Sequence, residues 1–180
     1  DANHFRDFFE PRTVEVGADV TGARFLCTTT GHSQVGEFTP SKRALVVEPA
    51  AAAEGAPASA SFEDTLWKTD CYLNPNRPQF GTWQFSRAGW APGDVVRPWD
   101  LDLTAVVRPG RATTFRYVPE PYEFPGEEKR PSDAEVAQAT HVVRAYLVLY
   151  RAPTGLVDAP TLRVVDVVAD GNAAKAGLKP

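Results

Sequence analysis

The chain has 180 residues, 43% of them hydrophobic and 23% charged, with a formal net charge of -4, which suits one well-buried core in a soluble globular domain. Acidic and basic residues are interspersed, so there is no phosphate-tracking surface for DNA or RNA and nucleic acid is excluded as a partner. No apolar run reaches the length of a membrane span, and the N-terminal DANHFRDFFEP lacks the basic-then-apolar layout of a signal peptide, so the chain reads as a mature product or as an excised piece of a longer protein.

In chain order the predicted strands are Arg12–Val16, Ala23–Thr29, Ala44–Glu48, Leu101–Val107, Thr113–Val118, His141–Tyr150 and Leu162–Val168, chosen by β-branched and aromatic content. In the fourth, Leu101, Leu103 and Ala105 alternate with Asp102 and Thr104; in the sixth, Val143, Ala145, Leu147 and Leu149 form one face. One buried and one wetter face fit an antiparallel sheet. The segments EPAAAAEGAPASAS and EPYEFPGEEKRPSD read as exposed loops. Two helical turns are predicted, one from the capping-box spacing of Ser132 and Glu135 and one over Ala173–Ala176, capped by Asn172 and ended by Gly177. The expected fold is all-β, an antiparallel β-sandwich with jelly-roll topology and very little helix.

Three groups of residues carry possible chemistry. In TGHSQVGEF, His32 and Glu37 sit in a glycine-bracketed loop after a strand, where a carboxylate and an imidazole can share proton work; the plainer alternative is a satisfied loop histidine and a solvated acid. All four tryptophans fall within residues 67–99. Trp83 and Trp90 can stack on apolar sugar faces while Arg87, Asp70 and Asn74 supply directional hydrogen bonds, or the tryptophans cap the core beneath a long loop. The acids Asp64, Asp70, Asp94, Asp100 and Asp102 match no calcium loop and suit strand and turn ends.

The two cysteines, Cys27 and Cys71, are either one disulfide or two buried thiols. Three scattered histidines and no methionine leave no zinc or copper ligand set, so no metal and no cofactor is expected.

Taken in order, TTTGH, GEF, TDCYLNP, GTW, SRAGWAPG and DLDLT resemble the C-terminal domain of the peptide-N-glycosidase F family, over roughly residues 10–152. Its most specific part is C-x-x-NP followed by R-x-x-W-x-PG. The resemblance implies a jelly roll that packs beside a second one, the cleft between them hydrolysing the amide that joins a glycan to asparagine, without a metal. It places Glu37 where a cleft-facing glutamate assists catalysis, Arg87 and Trp90 at a substrate-binding arginine and its following tryptophan, and His32 in a positioning or chemical role. Trp83 and Asp70 complete the expected substrate-binding set.

Two departures qualify what the resemblance implies. The family's water-activating aspartate belongs to the other jelly roll, and loss of a positioned acid or base removes roughly 10²–10⁴ in rate, so these 180 residues alone are expected to be nearly inactive. The family cysteine matched by Cys71 has its disulfide partner where this sequence has Ala91, so that bridge cannot form; Cys27 is a replacement partner if the fold brings it close. The tail LRVVDVVADGNAAKAGLKP resembles the middle of a PDZ domain.

The expected organisation is therefore a jelly-roll unit over residues 1–155, with 156–180 as a last strand and short helical tail or a truncated PDZ-like segment. Two readings of function follow: the PNGase F-like half of a glycoprotein amidase, or a non-catalytic carbohydrate- or protein-binding module of a larger exported protein. A third makes the sandwich a docking scaffold. Expected partners are an N-linked glycan or glycoprotein and a second jelly-roll or neighbouring domain, with no membrane span and a secreted or periplasmic location.

Overall fold

A computed structural model describes residues 9–50, 59–76, 78–124, 126, 130–153 and 163–164. Its elements are β1 (Arg12–Glu15), β2 (Val20–His32), α1 (Ser33–Phe38), β3 (Ser41–Pro49), β4 (Ala60–Leu66), β5 (Trp99–Asp102), β6 (Ala112–Pro119), α2 (Asp133–Ala137), β7 (Thr140–Arg151) and β8 (Arg163–Val164), with a 3-10 turn at Cys71–Leu73. They form two four-stranded sheets, ordered β1-β6-β3-β4 and β5-β2-β7-β8, antiparallel at every pairing. The chain changes sheet between β1 and β2, β2 and β3, β4 and β5, β5 and β6, and β6 and β7, winding as a jelly roll does. The expected all-β sandwich is the observed fold.

Period-2 patterning decides which rows face inward. Along β2, Ala23, Phe25, Cys27, Thr29 and Gly31 are buried while their neighbours are half-exposed, and along β3 the buried row is Ser41, Arg43, Leu45 and Val47. These rows meet Leu103, Val107, Phe115 and Leu149 in the core between the sheets, where each large aliphatic or aromatic side chain contributes about 1.5–3 kcal/mol on burial. A smaller cluster of Val35, Tyr122, Val136 and Ala139 packs α1 and α2 together.

The structure corrects several expectations. β4 is not among the expected strands, and only its first two residues fall in the segment expected as a loop, yet its exposure alternates residue by residue; pairing with β3 from Ser41↔Leu66 to Val47↔Ala60 supplies the ladder that the local composition does not announce. The predicted strand Leu101–Val107 ends at Asp102, whose carboxylate accepts the Thr104 amide at 2.9 Å, and the amides of Val106 and Val107 then turn back on the Leu103 carbonyl. The loop expected around Ser33–Phe38 is the short helix α1. The capping box at Ser132 forms as expected, with the Ser132 amide donating to Glu135 Oε2 at 2.8 Å. Of the predicted strand Leu162–Val168, only Arg163–Val164 is described, paired with Val148 and Leu149 of β7; the helical turn at 173–176 and the PDZ-like segment lie outside the described residues.

Candidate functional site

The end of β2, helix α1 and the loop 87–90 are tied together by main-chain hydrogen bonds. The Gly31 amide donates to Ala88 O at 3.0 Å, the Ala88 amide to Glu37 O at 2.8 Å, and the Lys68 and Arg87 amides exchange bonds of 2.8 and 3.1 Å. Two glycines permit this close approach. A Cβ on Gly31 would lie 1.9 Å from the Gly36 carbonyl oxygen, and one on Gly89, at φ +78°, would lie 2.2 Å from the Thr29 oxygen. Ser33, which opens α1, has φ 72°, a left-handed conformation that strains a non-glycine residue.

This scaffold brings together four of the predicted residues. Arg87 Nη1 donates to Glu37 Oε1 at 2.6 Å, with the arginine side chain 2% and the glutamate 17% exposed. The other guanidinium donors are spent inside the fold: Nε on Phe85 O at 3.2 Å, and Nη2 on the carbonyl and hydroxyl oxygens of Thr82. The guanidinium carbon lies 5.2 Å from the Phe38 ring centre and 5.4 Å from that of Trp90, so both a carboxylate and aromatic faces stabilise its charge. Among the described residues nothing hydrogen-bonds Glu37 Oε2, leaving that oxygen as an acceptor. The Trp90 indole donates to Gly31 O at 2.8 Å, and its ring lies 5.6 Å from that of His32. His32 Nε2 pairs with the Thr30 hydroxyl at 2.8 Å; among the described residues no hydrogen bond joins it to Glu37.

The remaining predicted residues stand elsewhere. Trp83 is half-buried beside Thr82. Asn74 is fully buried, donating to Pro92 O and accepting from the Asn76 amide at 2.9 Å, while Asn76 donates to Gly93 O at 2.8 Å. These bonds staple the 71–76 segment to the loop holding Ala91, where the resemblance expected a disulfide. Cys27 and Cys71 are both free and buried, so they form no replacement bridge. Cys27 belongs to the core between the sheets, whereas Cys71 donates to Lys68 O at 3.6 Å, and burial pushes both thiols up.

Asp70 lines a separate cleft of ≈ 570 Å³ whose walls include Arg43, Asp64, Trp67, Lys68 and Trp99 but not Glu37, Arg87 or Trp90. Lys68 Nζ sits between Asp70 at 2.6 Å and Asp94 at 2.8 Å, and Arg97 reaches Asp70 at 3.1 Å. The hydrogen bonds from Lys68 hold both carboxyls below the usual range. Burial opposes the Lys68 charge, but the bonds to Asp70 and Asp94 outweigh it and raise its pKa.

Sequence reasoning missed Arg43 altogether. It is 6% exposed, donates to Thr29 Oγ1 and to Asp64 Oδ2 at 2.8 Å each, and stacks 4.8 Å from the Trp99 ring centre. The signal was its parity, a charge in the same inward row as Leu45 and Val47. Among the described residues no group of three or more His, Cys, Asp or Glu side chains is placed to hold a metal ion, and no helix is long and apolar enough to cross a membrane.

A family model described as "Peptide-N-glycosidase F, C terminal" matches residues 2–148. Among solved structures the chain is similar to PNGase F, a glycosylasparaginase from Flavobacterium meningosepticum, at 17% identity and TM-score 0.55, covering 85% of this chain and 46% of that one. A peptide-N(4)-(N-acetyl-β-D-glucosaminyl)asparagine amidase matches at 17% identity and TM-score 0.56, covering 84% and 46%. PNGF-II matches at 20% identity and TM-score 0.54, covering 78% and 24%. The chain thus spans less than half the length of these proteins, and the likeness to them is one of fold. Comparison with curated proteins gave no match. Ordered motifs, sandwich architecture and the family match agree: the chain belongs to the peptide-N-glycosidase F family as its C-terminal domain.

Proposed function

We propose that this domain forms one wall of the catalytic cleft of a glycan-asparagine amidase, with Glu37, Arg87, Trp90 and His32 facing the substrate. The observation that carries the reading is the Glu37–Arg87 ion pair of 2.6 Å beside Trp90, in a chain of this family. Arg87 fixes one Glu37 oxygen, so Oε2 is left in a defined position to accept a hydrogen bond from a glycan hydroxyl or from the amide N–H. Trp90, anchored through Gly31, offers a rigid surface for a sugar ring, and Trp83 extends the substrate contacts. The water-activating aspartate comes from a partner jelly roll. Water adds its oxygen to the amide carbonyl carbon, the C–N bond breaks, and the nitrogen leaves on the sugar as a glycosylamine while asparagine becomes aspartate. A secreted or periplasmic setting, where N-glycoproteins are encountered, accords with this reading.

The test is mass spectrometry of an N-glycopeptide incubated with this chain alone and with a protein that joins it to a second jelly roll. The joined protein is expected to convert Asn to Asp with release of the glycan, and Glu37→Gln to reduce its rate roughly 10²–10⁴-fold. No conversion by the joined protein would sink the amidase reading.

A second reading, a non-catalytic carbohydrate- or protein-binding module, draws on the commitment of the Arg87 donors to Glu37, Thr82 and Phe85. Selective glycan or protein capture by the joined protein without turnover would favour it.

A further inference from the structure

The cleft that holds Asp70 sets two largely buried cations among carboxylates. Arg43 occupies the inward row of β3 between Ser41 and Leu45, where an apolar side chain would extend the core without desolvating a cation. Instead its guanidinium is fixed by Asp64, at 2.6 Å from Nη2, and lies over Trp99. Lys68 is almost as buried, 9% exposed, and is held between two aspartates.

These charges balance. The cations lining the cleft are Arg43, Lys68 and Arg97, and the carboxylates are Asp64, Asp70 and Asp100. Each is in an ion pair, Asp100 with Arg24 at 2.8 Å. Balanced pairs give no surplus charge to attract an ion, yet they leave carboxylate lone pairs and guanidinium N–H groups for neutral polar groups. Among the described residues Asp64 Oδ1 accepts no hydrogen bond, since both Arg43 contacts go to Oδ2. Trp67 and Trp99 supply the aromatic part of the same walls. The cleft volume of ≈ 570 Å³ falls in the ~300–1,000 Å³ range of small-molecule sites.

We propose that this cleft binds a neutral oligosaccharide, at a site separate from the Glu37–Arg87 cluster. Sugar C–H faces lie against Trp67 and Trp99 while hydroxyls donate to Asp64 and Asp70 and accept from Arg97. Because the ion pairs already fix most of these groups, binding orders few side chains, and preorganisation of this kind favours a hydroxyl-rich ligand that must give up water. Amide hydrolysis is not required, since the site is read with a sugar that carries no glycosyl-asparagine bond.

The experiment is a titration of the whole chain with N,N′-diacetylchitobiose, mannotriose and, as the charged comparator, a sulfated disaccharide, followed by backbone amide NMR shifts and tryptophan fluorescence. Saturable shifts at residues 64–70 and 97–100 with a neutral sugar are expected. Arg97→Ala, which removes an exposed side chain, and Asp70→Asn should each weaken binding about tenfold, the effect of losing one hydrogen bond to a charged group. Trp67→Ala should weaken it further and Trp67→Phe restore part of it. Absence of binding by either neutral sugar, preference for the sulfated one, or shifts confined to Glu37, Arg87 and Trp90 with Arg97→Ala binding unchanged would each overturn the proposal.

Discussion

Among the described residues two arginines, Arg87 and Arg43, are buried, each 2.6 Å from a carboxylate oxygen and each over a tryptophan ring. Their surroundings differ because their backbones differ. Arg87 lies in an irregular loop, where the carbonyls of Thr82 and Phe85 are not used by a sheet and can take guanidinium donors. Arg43 lies mid-strand, where main-chain carbonyls are committed to the ladders with β4 and β6, so side chains satisfy it: Asp64, Thr29 and the face of Trp99. Arg87 is therefore enclosed by its own loop, whereas Arg43 lines the cleft beside Trp99.

The largest expected effect tests that enclosure. Arg87→Ala leaves Glu37 and the Phe85 carbonyl without their partner, and should cost about 3–5 kcal/mol in denaturant unfolding, as for a broken buried pair. A loss under ~1 kcal/mol would show that water replaces the guanidinium, and the contrast with Arg43 would fail.

Next is the acid response of His141, which pairs with the Tyr122 hydroxyl at 2.9 Å. Burial, then the charges of Arg43 and His32, lower its pKa from 6.5 to about 4. The unfolded chain therefore binds this proton first. Stability is full above pH 6.5 and falls as pH drops towards about 4, by on the order of 3 kcal/mol. Urea melts between these limits measure the slope, and His141→Phe should flatten it. Arg43→Met should lessen the slope because it removes one opposing charge; an unchanged slope would mean that Arg43 is screened from His141.

Arg43→Ala should cost less than Arg87→Ala, about 1–3 kcal/mol, since water entering through the cleft can solvate Asp64. Equal losses in the two melts would remove the distinction between loop and strand. The smallest effect is expected for Arg43→Leu combined with Asp64→Leu, within about 1 kcal/mol of the parent, because apolar replacement of a whole buried pair is often neutral. The matching pair Arg87→Leu and Glu37→Leu should still be destabilising, since the Phe85 carbonyl loses its donor. Thermal melts of the two double variants make the comparison directly.

Much of the sandwich was legible before the fold was known. The β-branched runs and their alternation located β2, β3, β6 and β7, and Ser132 with Glu135 marked α2. β4 was not legible, because its small polar residues resemble the preceding linker until Phe62, Asp64 and Leu66 find β3. For the site, the family motifs brought Glu37 and Arg87 forward. The residue types of the tryptophan-rich segment grouped Asp70 with Arg87, but the structure places Asp70 in another cleft although the Lys68 and Arg87 main chains pair directly.

The sequence by itself determined the side-chain rows, the caps and the glycines needed for close approach, because these depend on parity and local backbone chemistry. Only the tertiary structure decided that Glu37 meets Arg87 across 50 positions of sequence, that Cys27 and Cys71 stay apart, and that Arg43 and Lys68 are buried among carboxylates. Those outcomes depend on which strands pair and which loops cross their ends. Such long-range contacts form only when chain closure is offset by burial elsewhere, and no local pattern carries that information.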